Sequence, residues 1–338
     1  MKMANAKGVG HFYFLINLNQ SRSGNENMKK DIKFSKIIFG GNVFGWTVNL
    51  EQSLNLLDYA LEHGIHTVDT ADMYSTWVTG HTGGESEAVI GEWLKRKPSN
   101  RERTVLITKV GAPLSGDKKG LSKKYIKQAI EDSLKRLNTD YIDIYISHYP
   151  DPETPIEETL SAYSDLIQEG KILKIGASNY SAQQLEDALH KSQTLNLPKY
   201  EIFQPGYSLV ERQQYETEYK TICEKHQLSV ITYFSLAAGF LSGKYREISQ
   251  LENSARKRQL KNYFSEQGLN ILTVMDSLKE KYQAELAEIA LAWIMAQPSI
   301  TAPIASATST TQIDSLVKAT RLELHAEDID LLNRVSQY

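Results

Sequence analysis

From Asp31 onward the chain repeats one pattern eight times: a short apolar run, a polar turn, then a segment with apolar residues at helical spacing. Parallel strands need a crossover between neighbours, so this alternation confines the chain to a parallel sheet covered by helices. The strands are expected at Lys36–Phe39, Ile65–Asp69, Thr104–Lys109, Tyr141–His148, Ile172–Ala177, Glu201–Gln204, Ser229–Phe234 and Ile300–Ala305. Between them, Leu54, Leu57 and Leu61 make one apolar helix face, and Gly64 stands where a left-handed cap is wanted. Ser122 caps a helix lined by Ile126, Ala129, Ile130, Leu134 and Leu137, and Ser181 opens another with a capping box to Gln184. Eight units in series, with no proline- or glycine-rich linker, favour closure over an open doubly wound sheet. The expectation is one (β/α)8 TIM barrel over residues 31–338, with a long charged loop (Gly239 to Gly268) after strand 7 and an extra C-terminal helix near 326–336. Residues 1–30 lie outside the repeat and are read as a flexible extension without an assigned function.

Charge and cysteine content narrow the partners. The net charge is -3, with 38 basic and 41 acidic residues spread along the chain and no basic tail or stripe, which argues against nucleic acid and anionic membrane. The one cysteine, Cys223, sits in a helical stretch as a packing residue and points to a reducing, cytoplasmic setting. The glycine run from Gly40 to Gly45 follows a strand, but its spacing does not match G-x-G-x-x-G, so a dinucleotide-binding sheet is rejected.

In a barrel of this type the chemistry gathers at the carboxyl ends of the strands. Those ends carry Asp69, Lys109, His148, Ser178-Asn179 and Gln204, and Tyr74 follows Asp69 in the next loop. Lys109 is the sharpest anomaly, because it extends the apolar run Val105–Thr108 into the mouth. A buried ammonium needs a partner, and Asp69 on the adjacent strand supplies one. A phenol beside that ammonium is expected to have a lowered pKa, which suits proton donation by Tyr74. His148 would then hold a carbonyl oxygen. Taken singly, each has an ordinary reading: Asp69 as a helix cap, Lys109 reaching solvent from the rim, Tyr74 as a loop aromatic, His148 as a core histidine. Together on neighbouring strands they read as a site for carbonyl reduction. No second histidine or paired carboxylate joins His148 at a ligand-like spacing, so no metal is expected.

Four segments resemble those of the aldo-keto reductases, in the branch of bacterial reductases and potassium-channel β subunits. They are Asp69-Thr70-Ala71-Asp72-Met73-Tyr74, Thr108-Lys109, Arg136 to Asp143 running on to His148-Tyr149-Pro150-Asp151, and Gly170-Lys171-Ile172 running on to Gly176-Ala177-Ser178-Asn179. With Gln204 and the Tyr233–Tyr245 segment, the resemblance covers about Asp31 to Leu332. It implies a catalytic set of Asp69, Tyr74, Lys109 and His148, and NADPH as cofactor with NADH as the alternative. It further implies that Ser178, Asn179 and Gln204 hold the nicotinamide carboxamide while Tyr233 stacks on the ring. Phe234, Ser235 and Leu236, with Gly239 and Lys244, resemble the segment over the pyrophosphate; Ser306, Thr308 and Gln312 resemble the adenosine-phosphate loop. Gly41, Asn42 and Asp69 complete the cofactor set.

Two positions depart from the resemblance: many relatives carry lysine and arginine where Ser306 and Gln312 stand, and Leu316 replaces an asparagine that faces adenine. Trp46, Trp77 and Tyr149 would wall a substrate pocket for neutral carbonyls. The expected activity is reduction of small-molecule aldehydes or ketones. The alternative is a redox-sensing regulatory subunit that binds NADPH and turns over slowly.

Overall fold

The computed structural model describes residues 32–338 apart from 115–117, 253 and 255; the expected extension 1–30 lies outside the described residues. Eight parallel strands close on themselves in sequence order, and the last pairs back to the first. They are β1 (Ile38–Gly40), β2 (Thr67–Asp69), β3 (Val105–Val110), β4 (Ile142–Ser147), β5 (Ile172–Ser178), β6 (Ile202–Gln204), β7 (Ser229–Thr232) and β8 (Ala302–Ala305). The expected (β/α)8 barrel is the fold observed.

The first helices are α1 (Leu50–Glu62), α2 (Glu85–Arg96), the single turn α3 (Asn100–Arg103), α4 (Lys123–Leu137), α5 (Ile156–Gln168) and α6 (Ala182–Thr194). There follow α7 (Lys220–His226), the turn α8 (Lys257–Leu260), α9 (Glu266–Tyr282), α10 (Leu286–Met295), α11 (Thr310–Ala319) and α12 (Ala326–Val335). Side-chain oxygens of Asn49, Ser122, Ser181, Ser265 and Ser309 accept backbone N–H bonds at the starts of five of them. The Ser181–Gln184 capping box is present as expected. Among the described residues no helix is long and apolar enough to cross a membrane.

Alternation along a strand is what positions the chemistry. On β3 the Thr108 hydroxyl reaches Glu87 on α2, while Lys109, the next residue, reaches Asp69 at the end of β2. One side chain faces the helical layer and the other the barrel mouth. Strands β1, β3 and β5 each run one residue past the expected end, whereas β4 and β7 stop sooner than their apolar runs suggest. β7 ends at Thr232, two residues before the expected Phe234: Tyr233 keeps one isolated bridge to Gly206, and Phe234 turns into the left-handed region at φ 54°. β4 ends at Ser147, so His148 is the first residue beyond it, held by its N–H to the Val110 carbonyl at 2.8 Å.

The charged connection after β7 forms single helical turns at Ile248–Leu251, α8 and Lys261–Tyr263, and then α9 and α10 together fill one repeat. The C-terminal α12 is tied down by Lys281 of α9, which pairs with Glu327 and Asp328, and by Arg212, which donates to the Asn333 carbonyl. Between α2 and the end of α4 the backbones nearly touch. A Cβ on Gly91 would stand 1.9 Å from the Arg136 carbonyl oxygen. Gly91→Ala should therefore force the two helices apart and cost about 1–3 kcal/mol, as overpacked cores do. Urea unfolding measures this, and an unchanged midpoint would contradict so close a crossing.

Candidate active site

The mouth is organised around an amine with no exposed surface. Lys109 Nζ donates to Asp69 Oδ2 at 2.7 Å, to the Thr70 carbonyl at 2.7 Å and to the Tyr74 hydroxyl at 3.0 Å. All three ammonium protons are thus used. The Tyr74 hydroxyl in turn donates to Asp69 Oδ2 at 3.1 Å, and Asp69 Oδ1 accepts from Gln204 Nε2 at 2.9 Å. The short loop after β2 makes this possible. The Thr70 N–H bonds the Ile107 carbonyl and the Asp72 N–H bonds the Lys109 carbonyl, and a turn from Ala71 to Tyr74 brings the phenol back over the strand ends.

Burial of its hydroxyl end, reinforced by the Asp69 charge and hydrogen bond, pushes the Tyr74 phenol well above its ordinary value. This overturns the expectation that Lys109 would lower it: the carboxylate lies within reach of the same hydroxyl, and desolvation disfavours the phenolate. Burial also lowers the Lys109 ammonium, with Asp69 opposing. His148 is pushed well below the ordinary imidazole value by burial and then by Lys109, so it stands neutral. Its ring lies edge-on to Tyr74 at 6.2 Å and stacks on Tyr149 at 4.9 Å.

The residues expected at the nicotinamide end are brought together beside this centre. Ser178 Oγ donates to the Gln204 carbonyl at 2.8 Å, Asn179 Nδ2 donates to the His148 carbonyl at 2.8 Å, and the Tyr233 hydroxyl donates to Asn179 Oδ1 at 3.0 Å. At the other end, Ser306 Oγ donates to Asn42 Oδ1 at 2.6 Å, Gly41 lies under the backbone of Asp69, and Gln312 Oε1 accepts from the Thr308 N–H at 2.7 Å. Gly239 has φ 100° and open space where a Cβ would stand. One expected contact is turned away, since the Ser235 hydroxyl is buried on the Thr232 carbonyl; Leu316, the departure from the resemblance, is buried in α11 against the core. Leu236 packs half-buried on the same core.

An aromatic rim leads outward from the phenol. Trp77 lies 6.1 Å from Tyr74 and 5.5 Å from Trp46, and Trp77, Tyr149 and Phe234 are each more than 40% exposed. The guanidinium of Arg256 sits 5.6 Å from the Trp46 ring, and Lys244 Nζ lies 4.6 Å from the Tyr245 ring. Neither cation has a carboxylate partner among the described residues. Burial lowers Arg256, and only Tyr245 opposes this. Arg256 escaped the sequence reading because it lies in the irregular connection, where no periodicity marks a side chain as inward-facing.

Residues 36–337 match the family described as "Aldo/keto reductase family". The chain is 32% identical to a protein named "Uncharacterized oxidoreductase YrpG" from Bacillus subtilis, over 90% of this chain and 93% of the relative. It is also 32% identical to a "Probable voltage-gated potassium channel subunit beta" from Arabidopsis thaliana, over 86% of this chain and 89% of that one. A "Versiconal hemiacetal acetate reductase" from Aspergillus parasiticus is 31% identical over 89% of this chain and 93% of its own.

Removing one member of the buried pair should expose its worth. Lys109→Met leaves Asp69 without its cation and should cost about 3–5 kcal/mol, most of which Asp69→Asn restores in the double variant. Equilibrium unfolding of the cofactor-free proteins tests this; a single variant as stable as the parent would mean the pair is not held as described.

Proposed function

The chain belongs to the aldo/keto reductase family, and from that premise we propose that it reduces aldehydes or ketones to alcohols with NADPH, Tyr74 acting as the acid. The observation that carries this reading is a single hydroxyl at the open mouth that both accepts from an ammonium and donates to a carboxylate. No other phenol has such a pair of partners among the described residues.

The residues fit a nicotinamide nucleotide. Tyr233, its hydroxyl held on Asn179, offers a ring beside Gly206, whose missing side chain leaves space against it. Ser178, Asn179 and Gln204 lie next to it and would hold the carboxamide. Lys244 and Arg256 are cations in need of an anion, and the start of α11, capped by Ser309, presents backbone N–H groups. These would take the phosphates, with Phe234, Ser235, Leu236 and Gly239 covering them through backbone. Gly41, Asn42, Ser306, Thr308 and Gln312 would complete the adenosine side.

When bound, the cofactor supplies the hydride that adds to the carbonyl carbon. Tyr74 holds the proton that the carbonyl oxygen takes. A raised phenol keeps this proton against water, yet the oxygen formed by hydride addition is an alkoxide, a far stronger base, so the transfer still runs downhill. Lys109 then stabilises the phenolate, and Asp69 balances the ammonium. Neutral His148 can offer a ring N–H to the carbonyl oxygen and steer it toward Tyr74. Trp46, Trp77 and Tyr149 form the walls that would take an apolar or aromatic carbonyl compound. Buried Cys223, its thiol pushed up to about 12, is a packing residue outside the chemistry, and a chain with one cysteine suits a reducing compartment such as the cytoplasm.

NADPH oxidation across a panel of aldehydes and ketones tests the activity. Tight NADPH binding with no consumption on any of them would overturn the enzyme reading in favour of the regulatory one suggested by the channel-subunit relatives. Tyr74→Phe should lower kcat about 10²–10⁴-fold, the usual worth of a general acid, with NADPH affinity near that of the parent. A variant that kept most of its turnover would place the acid elsewhere. Arg256→Gln should weaken NADPH binding about ten-fold, the scale of one charge-assisted contact, which fluorescence titration reads directly. Unaltered affinity would remove Arg256 from the phosphate site.

A further inference from the structure

Behind β3, on the face away from the amine, lies a second ionisable cluster that the reaction does not use. Glu87 of α2 has no exposed surface; it accepts from Thr108 Oγ1 at 2.6 Å and from Arg136 Nε of α4 at 2.7 Å, and is fully satisfied. Asp72 faces this pair and is 2% exposed, yet neither of its carboxyl oxygens has a hydrogen-bond partner among the described residues. The Tyr145 hydroxyl of β4, also buried, is without a partner too. An unpaired buried carboxylate next to a second carboxylate is among the costliest arrangements a fold can hold. The position it occupies is equally unusual: it lies three residues after Asp69 and two before Tyr74, and its backbone N–H bonds the carbonyl of Lys109.

We propose that Asp72 is a positioning residue: its carboxyl group, seated in the pocket between β3, β4, α2 and α4, anchors the Asp69–Tyr74 loop and so fixes the Tyr74 hydroxyl on the Lys109 amine. The inference rests on the reading of Tyr74 as the acid. The anchor works as a neutral acid. Burial, and next the Glu87 charge, hold Asp72 well above the ordinary carboxylate range, while Arg136, the Met73 N–H and Lys109 pull the other way. Tyr125 of α4, Tyr145 of β4 and Tyr163 of α5, the remaining titratable neighbours, are themselves raised with Asp72 among the causes, so they offer it no positive charge. A neutral carboxyl can fill this pocket, whereas an ionised one would sit beside Glu87 and press the loop outward.

The sign of the linkage follows. An aspartate raised in the fold binds its proton more tightly than in the unfolded chain, so stability is full below the unfolded pKa of about 3.9 and is lost as pH rises toward the folded value. Asp72→Asn copies the neutral acid in shape and cannot ionise. Unfolding of the cofactor-free proteins should therefore show Asp72→Asn more stable than the parent at pH 8, with the gap closing toward pH 4. Asp72→Asn should also keep kcat within about two-fold, while Asp72→Ala, which empties the anchor, should lower kcat about ten-fold at unchanged KM for cofactor and carbonyl, the cost of a misplaced reacting group. A crystal structure of Asp72→Ala without cofactor should show the Lys109–Tyr74 contact lengthened beyond hydrogen-bonding distance, and that of Asp72→Asn should show it kept. An Asp72→Asn protein less stable than the parent at pH 8, or as slow as Asp72→Ala, would overturn the proposal. So would an undisturbed contact in Asp72→Ala. The stability and structural results do not depend on turnover, so they stand apart from any failure of the reductase reading itself.

Discussion

An ammonium with no exposed surface is tolerable only when oxygens surround it, and Lys109 has three. Desolvating such a pair costs several kcal/mol per ion, which a single carboxylate at good distance barely offsets. The additional contacts come from the Thr70 carbonyl and the Tyr74 hydroxyl, so the loop after β2 must lie across the end of β3. Much of the mouth follows from that demand. Asp69 is fixed by Gln204 on the far side of the barrel, and the Gln204 backbone carbonyl accepts from Ser178. Four strands, β2, β3, β5 and β6, are therefore tied to one amine through side chains or their adjoining loops.

The opposite face of β3 carries a second closed network. Thr108 meets Glu87, Arg136 meets Glu87, and Gly91 lets α2 approach the end of α4 closely. The helical layer behind the Asp69–Tyr74 loop is thus cross-linked independently of the mouth. A strand of six residues serves as the wall between two polar systems, one open to substrate and one sealed. Asp72 belongs to the loop of the first and is buried against the second, so under the proposed positioning role a change in its charge would be felt at Tyr74.

Most of this was legible in the sequence where periodicity or a strand end marked a residue. The eight strands, the Ser181–Gln184 box and the placing of Asp69, Lys109 and Gln204 at strand ends around one mouth all follow from spacing, because a parallel barrel leaves few other arrangements. The ends of strands were not legible: Phe234 has strand-like chemistry, yet its left-handed backbone is set by the mouth it helps to cover. Arg256 and Asp72 were missed for related reasons. One lies in irregular chain, and the other sits in a polar loop where an aspartate is ordinary, and only the packing of α2 and α4 around it shows that it is buried.

The direction of the phenol's shift was also hidden, and it changes the chemical argument. A sequence places an ammonium near Tyr74 and suggests an easier acid; the geometry adds a carboxylate on the same hydroxyl and removes the water. In reduction this is an advantage. A phenol that ionised readily would stand partly as phenolate before the carbonyl arrived, with no proton to give. Held high by burial and by Asp69, a Tyr74 acting as the proposed acid would remain loaded, and Lys109 would contribute after the transfer, when the phenolate exists to be stabilised. The same carboxylate that makes the resting acid weak also keeps the ammonium charged against its own desolvation, so neither effect can be removed without losing the other.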